Sequence, residues 1–513
     1  MKIKVFITFL SLLSLTLISC DKVFSSNLSQ NNNSSNSTTS NVENSSSFNS
    51  SSSNSISNST STNKPTESNY LTVFSVNDFH GKIEQTSSYP GIVALQGAIR
   101  NNKNYNDNSI IVSSGDMFQG SYLSGKDYGL STTKLMNNFP FEAMALGNHE
   151  FDWGINKIKD NISQASFPFL CANLLDSNNK QADFVTDHVT IEKGNYKVGI
   201  VGAIGANLES SIKASALENY SFSSNLTYLK NAYNKCIKEG ANIVLLSLHD
   251  DEDSTYTNSI QDSSIPFAGI LGGHSHKFQL ENSNMPYVQG SSDSKGYSYI
   301  KIDTTNNTVN EINYVKVNAT DNKYATSYFT ELVDDLISKN PVQTIGYIKG
   351  YWTKEKAANL VLKAMFQTAI NLYPEKNYSE SNLIAIHNTG GIRGYFPNYD
   401  TSTPITMKDV QVISPFDNKV MLLENRPIVS SQVGDSSKNY SYPSKANLNL
   451  NNKYDIVTID YLVSDKYAPS MFTPEGAKPI RGENQEDYII YDLVADYINN
   501  NSSFENPIDA KNF

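Results

Sequence analysis

Cysteine is scarce in this sequence. Three residues in 513 cannot staple a disulfide scaffold. Cys171 sits in the apolar run FPFLCANLL and Cys236 in a helical-looking run, so both are expected as unpaired core thiols. Positive charge is short too: 40 Lys and Arg face 51 Asp and Glu, a net charge of −11. No basic footprint marks a nucleic acid polymer as partner. An acidic chain that handles anions must bring positive charge to one place, from metal ions or a few arginines. Histidine is sparse as well, seven in all, which makes its distribution informative. Apolar content of 38% and 30 tyrosines fit a folded extracellular protein better than a disordered one. The length allows two or three domains.

What is present begins with a targeting pattern. Lys2 and Lys4 precede the apolar stretch VFITFLSLLSLTLIS, which ends at Cys20. The stretch is too short for a confident span and reads as a leader over residues 1–20. LISC resembles the bacterial lipobox, which implies cleavage before Cys20 and lipid on it. That would anchor the protein to the outer face of the bacterial cell membrane. Residues 21–69 are almost pure Ser, Asn and Thr and bury nothing, so they are expected as a disordered tether.

From Tyr70 onward, strand-like runs (YLTVFSVND, NSIIVSSGD, FEAMALGN, KVGIVGAIG, ANIVLLSLHDD, FAGILGGHSH) alternate with helical ones. That alternation predicts an α/β layered domain over 70–320. The segment from about 284 to 317 reads as a hairpin closing it. A linker helix is expected over 321–345, and a second, α+β domain over 346–513.

Five of the seven histidines fall just after apolar runs: His80 in NDFHG, His149 in GNHEFDWG, His249 in SLHDD, His274 and His276 in GGHSH. In α/β sheets, ligands collect at the carboxyl ends of strands. With Asp116 in SSGDMFQG, these clusters join imidazole nitrogen to carboxylate or amide oxygen. That donor set suits Zn, Mn, Fe or Co and is too nitrogen-rich for a dedicated Ca or Mg cage. Asp78 and His80 are two apart, as are His274 and His276. Each pair is expected to point one way from an extended segment.

NDFHG, GDMFQG, GNHEFDWG and GGHSH, in this order, resemble the calcineurin-like metallophosphoesterases, and MALGNHEFDWG resembles their 5′-nucleotidase branch. The resemblance implies a four-layer α/β/β/α domain followed by a substrate-binding domain. It implies two divalent metal ions: Asp78, His80 and His276 resemble the ligands of one, and Asn148, His249 and His274 those of the second. Asp116 resembles the bridging carboxylate. His149 and Asp152 resemble a catalytic pair acting on the transferring phosphoryl group. Glu150 and Trp153 are read as structural, and His188 and His387 as surface or satisfied polar residues.

In the second domain, HNTGGIRGYF resembles the nucleotidase signature. Asn388, Gly391 and Arg393 are its candidate substrate contacts, and Phe416 and Tyr461 resemble the rings that clamp a base. The pattern frays in places. WTKEKAANL carries Lys354 and Lys356 where an arginine is usual, and Ala358 for glycine. VSDKY departs after Tyr461, and Asp250, Asp251 and Glu252 follow His249 where small residues are usual. The acidic loop either tightens cation binding or repels an anionic substrate, and the sequence leaves both open. The resemblance thus implies a two-metal extracytoplasmic phosphohydrolase acting on nucleoside 5′-monophosphates. The alternatives are a 2′,3′-cyclic nucleotide or nucleotide-sugar substrate, a non-nucleotide ester, or a non-catalytic surface-binding role.

Overall fold

The computed structural model describes residues 69–434, 438–463, 472–482 and 485–513. The leader at 1–20 with Cys20, the tether up to residue 68, and most of the VSDKY stretch lie outside the described residues. Residues 67–513 cluster as one unit, and within it two hydrophobic cores are distinct.

The first core region is built on two six-stranded sheets. In one, Tyr70–Val76, Ile110–Ser113, Ala143–Ala145 and Phe169–Leu170 run parallel. Gly296–Asp303 and Thr308–Lys316 extend it as an antiparallel hairpin. In the other, Tyr196–Ile204, Ile243–His249, Ile270–Gly273 and Tyr287–Gly290 run parallel between antiparallel edges His188–Lys193 and Phe278–Glu281.

Side-chain alternation along these strands makes the layers. Leu71, Val73, Ile110 and Val112 meet Val198, Ile200, Leu245 and Leu271 between the sheets. The opposite faces carry Phe74, Ile111 and Met144, or Val244, Leu246 and Ile270, and these bury helices. Helices Gly91–Arg100, Leu130–Asn138 and Ile155–Gln164 cover one side; Thr227–Lys238 and Thr255–Gln261 cover the other. The order helix, sheet, sheet, helix is the four-layer arrangement expected. Helix Ser327–Ser338 packs Phe329 and Val333 into this same region. Cys171 and Cys236 are both free and buried.

One expectation needs correction. The stretch from 284 to 317 is not a single hairpin: Tyr287–Gly290 belongs to the second sheet, and the hairpin begins at Gly296. The chain changes sheets through a turn in which Ser291, Asp293 and Ser294 have φ of 69°, 55° and 60°. A reversal of that kind carries no period-2 signal.

The second core region holds a five-stranded sheet with Leu383–Asn388 and Lys453–Ile459 at its centre. Helices Lys354–Leu372 and Ile490–Asn501 pack on it. Thr353 caps the first of these by accepting a hydrogen bond from the Lys356 amide.

Candidate active site

Every strand that matters ends at the same edge. Tyr70–Val76 leads to Asp78, Ile110–Ser113 to Asp116, Ala143–Ala145 to Asn148 and Ile270–Gly273 to His274, while His249 closes its own strand. Parallel strands place all these ends together. Asp78, His80 and His276 form one group whose ligand atoms lie within 4.8 Å of one another, and Asp116, His249 and His274 form a second. Asn148 Oδ1 lies 3.2 Å from His249 Nε2 and 3.1 Å from His274 Nδ1.

The spacing argument reached one right pair, Asp78 and His80, for the wrong reason, and failed for the other: His274 joins Asp116 and His249, whereas His276 joins Asp78 and His80. Asp78 and His80 are not on an extended segment, because the strand stops at Val76. They share a direction because both adopt left-handed backbone, with φ of 49° and 52°. Asp116 (57°), His274 (83°) and His276 (61°) do the same. A non-glycine residue held there costs on the order of 1 kcal/mol or more. Five such residues at one strand edge mark a place where ligand geometry overrode backbone preference.

The donor set fits cations. His80 Nδ1–H donates to the Gln119 carbonyl at 2.9 Å, which fixes the tautomer and turns the Nε2 lone pair inward. That lone pair faces His276 Nε2 at 3.0 Å. Burial and His276 hold His80 well below its ordinary value, so it stays neutral. Two ring nitrogens at this distance, with Asp78 Oδ1 3.4 Å from His276 Nε2, suit a shared electrophile. On the other side the buried Asp116 carboxylate draws charge to itself: against burial, it pushes His249 up to about 10. His249 Nδ1–H is anchored on the Ser114 carbonyl at 2.8 Å. A divalent cation supplies the charge that a proton otherwise must.

The segment Gly147–Asp152 is organised by Glu150. Its carboxylate accepts from the backbone N–H groups of Asp116 (2.8 Å), Met117 (2.8 Å) and Gly147 (2.7 Å). Burial and Asp116 push its carboxyl up to about 7, while the bonds from Gly147 and Asp116 oppose that. Sequence reasoning set Glu150 aside as structural. It is structural, but what it holds in place is the Asp116 loop. Gly147 is required here for space, since a Cβ would sit 2.2 Å from Asp116 Oδ1.

His149 lies one residue beyond Asn148 and projects towards the second domain. Its Nδ1–H donates to Asp152 Oδ2 at 2.8 Å and its amide to Asp116 Oδ1 at 2.8 Å. Burial lowers its pKa, but Asp152 and Asp116 more than offset that and raise it above 6.5. Arg393 Nη2 lies 3.0 Å from His149 Nε2. The Phe416 ring stacks on His149 at 5.5 Å between centroids, and the Arg393 guanidinium lies over Phe416 at 5.3 Å.

A cavity of about 220 Å³ opens from this point. Asn148, His149, Asp152 and His274 line one wall; Asn388, Gly391, Arg393, Phe416 and Tyr461 line the other. All five substrate-side candidates therefore converge on one space. Lys213, Asp417 and Asn418 also line it and were missed. The adjacency of Asp417 and Asn418 to Phe416 was the available signal; Lys213 had none. Lys213 Nζ pairs with Asp460 Oδ2 at 2.5 Å, and Tyr461 donates to the Ser210 carbonyl at 3.2 Å, so the two walls are tied across the cleft.

His387 corrects another expectation. It is not a surface residue but a buried, half-satisfied one: its Nδ1–H donates to the Asn388 carbonyl at 3.0 Å, and its Nε2 has no hydrogen-bond partner among the described residues. Burial pushes its imidazole down to about 4. A Cβ on Gly391 would come within 2.4 Å of its ring. It packs beneath the signature loop because the strand Leu383–Asn388 turns it inward. His188 is satisfied as expected, by Asp187 at 2.6 Å and Glu239 at 3.2 Å. In the acidic loop, Asp250 is taken up by the chain that follows it. It accepts from the Asp251 amide and the Ser254 hydroxyl at the start of helix Thr255–Gln261.

Residues 71–278 match the calcineurin-like phosphoesterase family. A snake venom 5′-nucleotidase of Crotalus adamanteus is 24% identical over 404 residues, 69% of this chain and 68% of that protein. Among solved structures, a 5′-nucleotidase precursor from Thermus thermophilus superposes with a TM-score of 0.64 at 18% identity. It covers 84% of this chain and 96% of its own. A sulfate thiohydrolase of the same organism superposes with a TM-score of 0.63 at 13% identity, covering 86% and 95%. The ordered strand-edge motifs, the two ligand groups and these similarities together identify residues 71–278 as a calcineurin-like phosphoesterase domain, in a chain similar to 5′-nucleotidases, and support a metal-dependent phosphoric monoester hydrolase.

Proposed function

We propose that the protein releases phosphate from nucleoside 5′-monophosphates outside the cytoplasm, held at the membrane by lipid on Cys20. The observation that carries this reading is the single cavity joining His149 and Asn148 to Phe416 and Tyr461. A phosphoryl group at one end and a flat base at the other is the ligand such a space suits. Two divalent cations, of Zn, Mn, Fe or Co, held by Asp78, His80, His276 and by Asn148, His249, His274 with Asp116 between them, would supply Lewis acidity towards the phosphoryl oxygens.

The chain's own residues do the rest. His149, charged and oriented by Asp152, presents Nε2–H to the leaving oxygen. The Arg393 fork, 3.0 Å from that imidazole, turns onto a phosphoryl oxygen when one arrives. Phe416 and Tyr461 offer faces to the base, a contact that tolerates different bases. Asn388 offers an amide to the nucleoside. In this division residues 70–320 carry the chemistry, 346–513 grip the nucleoside, and 321–345 join them.

The sulfate thiohydrolase shares the fold, so fold alone leaves a non-nucleotide ester open as a second reading. A purely binding role fits less well, since no candidate ligand is lost. The test is phosphate release from AMP by metal-stripped protein, before and after Mn²⁺ or Zn²⁺ is returned, with His149→Ala alongside. Metal-dependent release that collapses in the variant supports the reading; metal-loaded protein that leaves AMP intact removes it.

A further inference from the structure

The first ligand group needs a carboxylate that is buried and still aims one oxygen at a cation. Asp78 has no exposed surface, so each of its oxygens must meet a donor or a cation. Oδ2 is met by protein. Asn77 Nδ2–H donates to it at 2.6 Å and the His274 amide at 2.9 Å, nearer than that amide stands to Oδ1 at 3.2 Å. Oδ1 faces His276 Nε2, 3.4 Å away.

Asn77 is itself held at every polar atom of its side chain. Its second N–H donates to the Ser291 carbonyl, and its Oδ1 accepts from the Gly290 amide at 3.0 Å. Asn77 follows the strand Tyr70–Val76 of one sheet, and Gly290 ends the strand Tyr287–Gly290 of the other. One buried amide therefore joins the two sheets at the edge where the ligands gather.

The turn that it grips is the one in which the chain changes sheets. There the Asp293 amide donates to the Asp78 carbonyl at 2.7 Å. Ser291 donates from its hydroxyl to the His276 carbonyl at 3.2 Å and from its amide to the Lys277 carbonyl at 3.0 Å. Just before it, the buried Gln289 Nε2 donates to Ser275 Oγ at 2.9 Å and to the Lys277 carbonyl at 3.1 Å. Residues 289–293 thus bind the loop of Asp78 on one side and the loop of His276 on the other. The left-handed backbone of Ser291, Asp293 and Ser294 persists only where its surroundings over-determine it, and the two ligand loops are those surroundings.

We propose that Asn77 is a positioning residue for the first ligand group: it fixes Asp78 with Oδ2 turned to protein and Oδ1 to His276, so that the carboxylate meets a cation through one oxygen. The proposal rests on the reading of Asp78, His80 and His276 as ligands of one cation. Without Asn77 the carboxylate keeps the His274 amide alone and turns more freely about its Cβ–Cγ bond. A cation must then order it on binding, and affinity falls.

The test is titration of Co²⁺ into the metal-stripped intact chain against a competing chelator, for wild type, His276→Ala, Asn77→Ala and Ser291→Ala. His276→Ala identifies the binding step that belongs to this group. Asn77→Ala is expected to weaken that step by about 10- to 100-fold and to change the visible absorption of the Co²⁺ bound there, while the other step moves much less. Ser291→Ala, which removes the hydroxyl bond to the His276 carbonyl, weakens the same step by a smaller factor. An unchanged step in Asn77→Ala overturns the proposal. So does a melting temperature that falls in the metal-stripped variant while its rise on adding Co²⁺ stays as in wild type, since Asn77 would then serve packing alone. If Asn77→Ala shows no cooperative melt, Ser291→Ala decides, and an unchanged step there overturns the proposal. A wild type with no step that His276→Ala abolishes removes the ligand reading and the proposal with it. An Asn77-dependent step in a chain that leaves AMP intact keeps the proposal and removes only the nucleotidase reading.

Discussion

The two walls of the cleft were written in different languages. The wall of candidate metal ligands is made of strand ends, fixed by parallel register and by backbone carbonyls that orient His80 and His249. The facing wall, proposed to grip the nucleoside, is made of one signature loop, two aromatic rings and an arginine that reaches across to His149. The first wall has little freedom: its residues sit in left-handed backbone that only the surrounding structure can maintain. The second is fastened by contacts that cross the cleft, such as Lys213 with Asp460, Lys408 with Glu84 at 2.7 Å, and Gln119 with the Pro415 carbonyl at 2.7 Å. A rigid chemical wall and a fastened gripping wall predict different responses to mutation.

The largest effect belongs to the rigid wall. Asp116→Ala removes the carboxylate that both ligand groups face, and should take AMP hydrolysis to the assay floor with metal content reduced by elemental analysis. His149→Ala leaves the ligands in place, so it should cost about 10²- to 10⁴-fold in kcat while metal content stays at the wild-type level. A parallel loss of metal would show that His149 belongs to the ligand set instead. Glu150→Gln tests the loop beneath. Losing the charge that holds three amides should weaken metal affinity by about 10- to 100-fold, as for other outer-shell partners, read by titration with a competing chelator.

The gripping wall should answer in KM. Phe416→Ala removes a stacking face worth roughly 1–3 kcal/mol, so KM for AMP should rise by one to two orders of magnitude. Turnover of a small ester without a base should hold. If both fall together, Phe416 serves His149, on which it stacks, more than the base.

His387 sets an effect on stability alone, away from the chemistry. Its folded pKa, pushed down to about 4, lies below the ordinary 6.5. The unfolded chain therefore binds a proton that the folded chain refuses. Stability from this residue is present above pH 6.5 and falls as pH drops from there towards 4, by on the order of 3 kcal/mol. Denaturant unfolding of wild type and His387→Leu at pH 7 and pH 5 should show the variant losing less on acidification. An equal loss would remove burial of this imidazole as an acid-sensitive element.

These contrasts also explain what could be read in advance. Strands and helices of the first region were legible because period-2 and period-3.6 patterns are strong there. The metal-ligating candidates were legible because histidine is rare and clustered. The left-handed turns behind Asp78 and His80 were not, since nothing local distinguishes a ligand pair on a strand from one on a turn. The sheet change at Ser291–Ser294 was hidden for the same reason. Lys213 was missed because it comes from a loop whose partner in space, Asp460, is more than two hundred residues away. His387 was misjudged because a histidine on a central strand reads the same whether it faces solvent or core.

The most direct measurement of the divided cleft compares kcat/KM for AMP with that for ribose 5-phosphate, in metal-loaded wild type and in Phe416→Ala. The account predicts a strong preference for AMP that shrinks about tenfold or more in the variant, with ribose 5-phosphate turnover little altered. Equal rates on both esters in the wild type would contradict it, because the second wall would then grip no base.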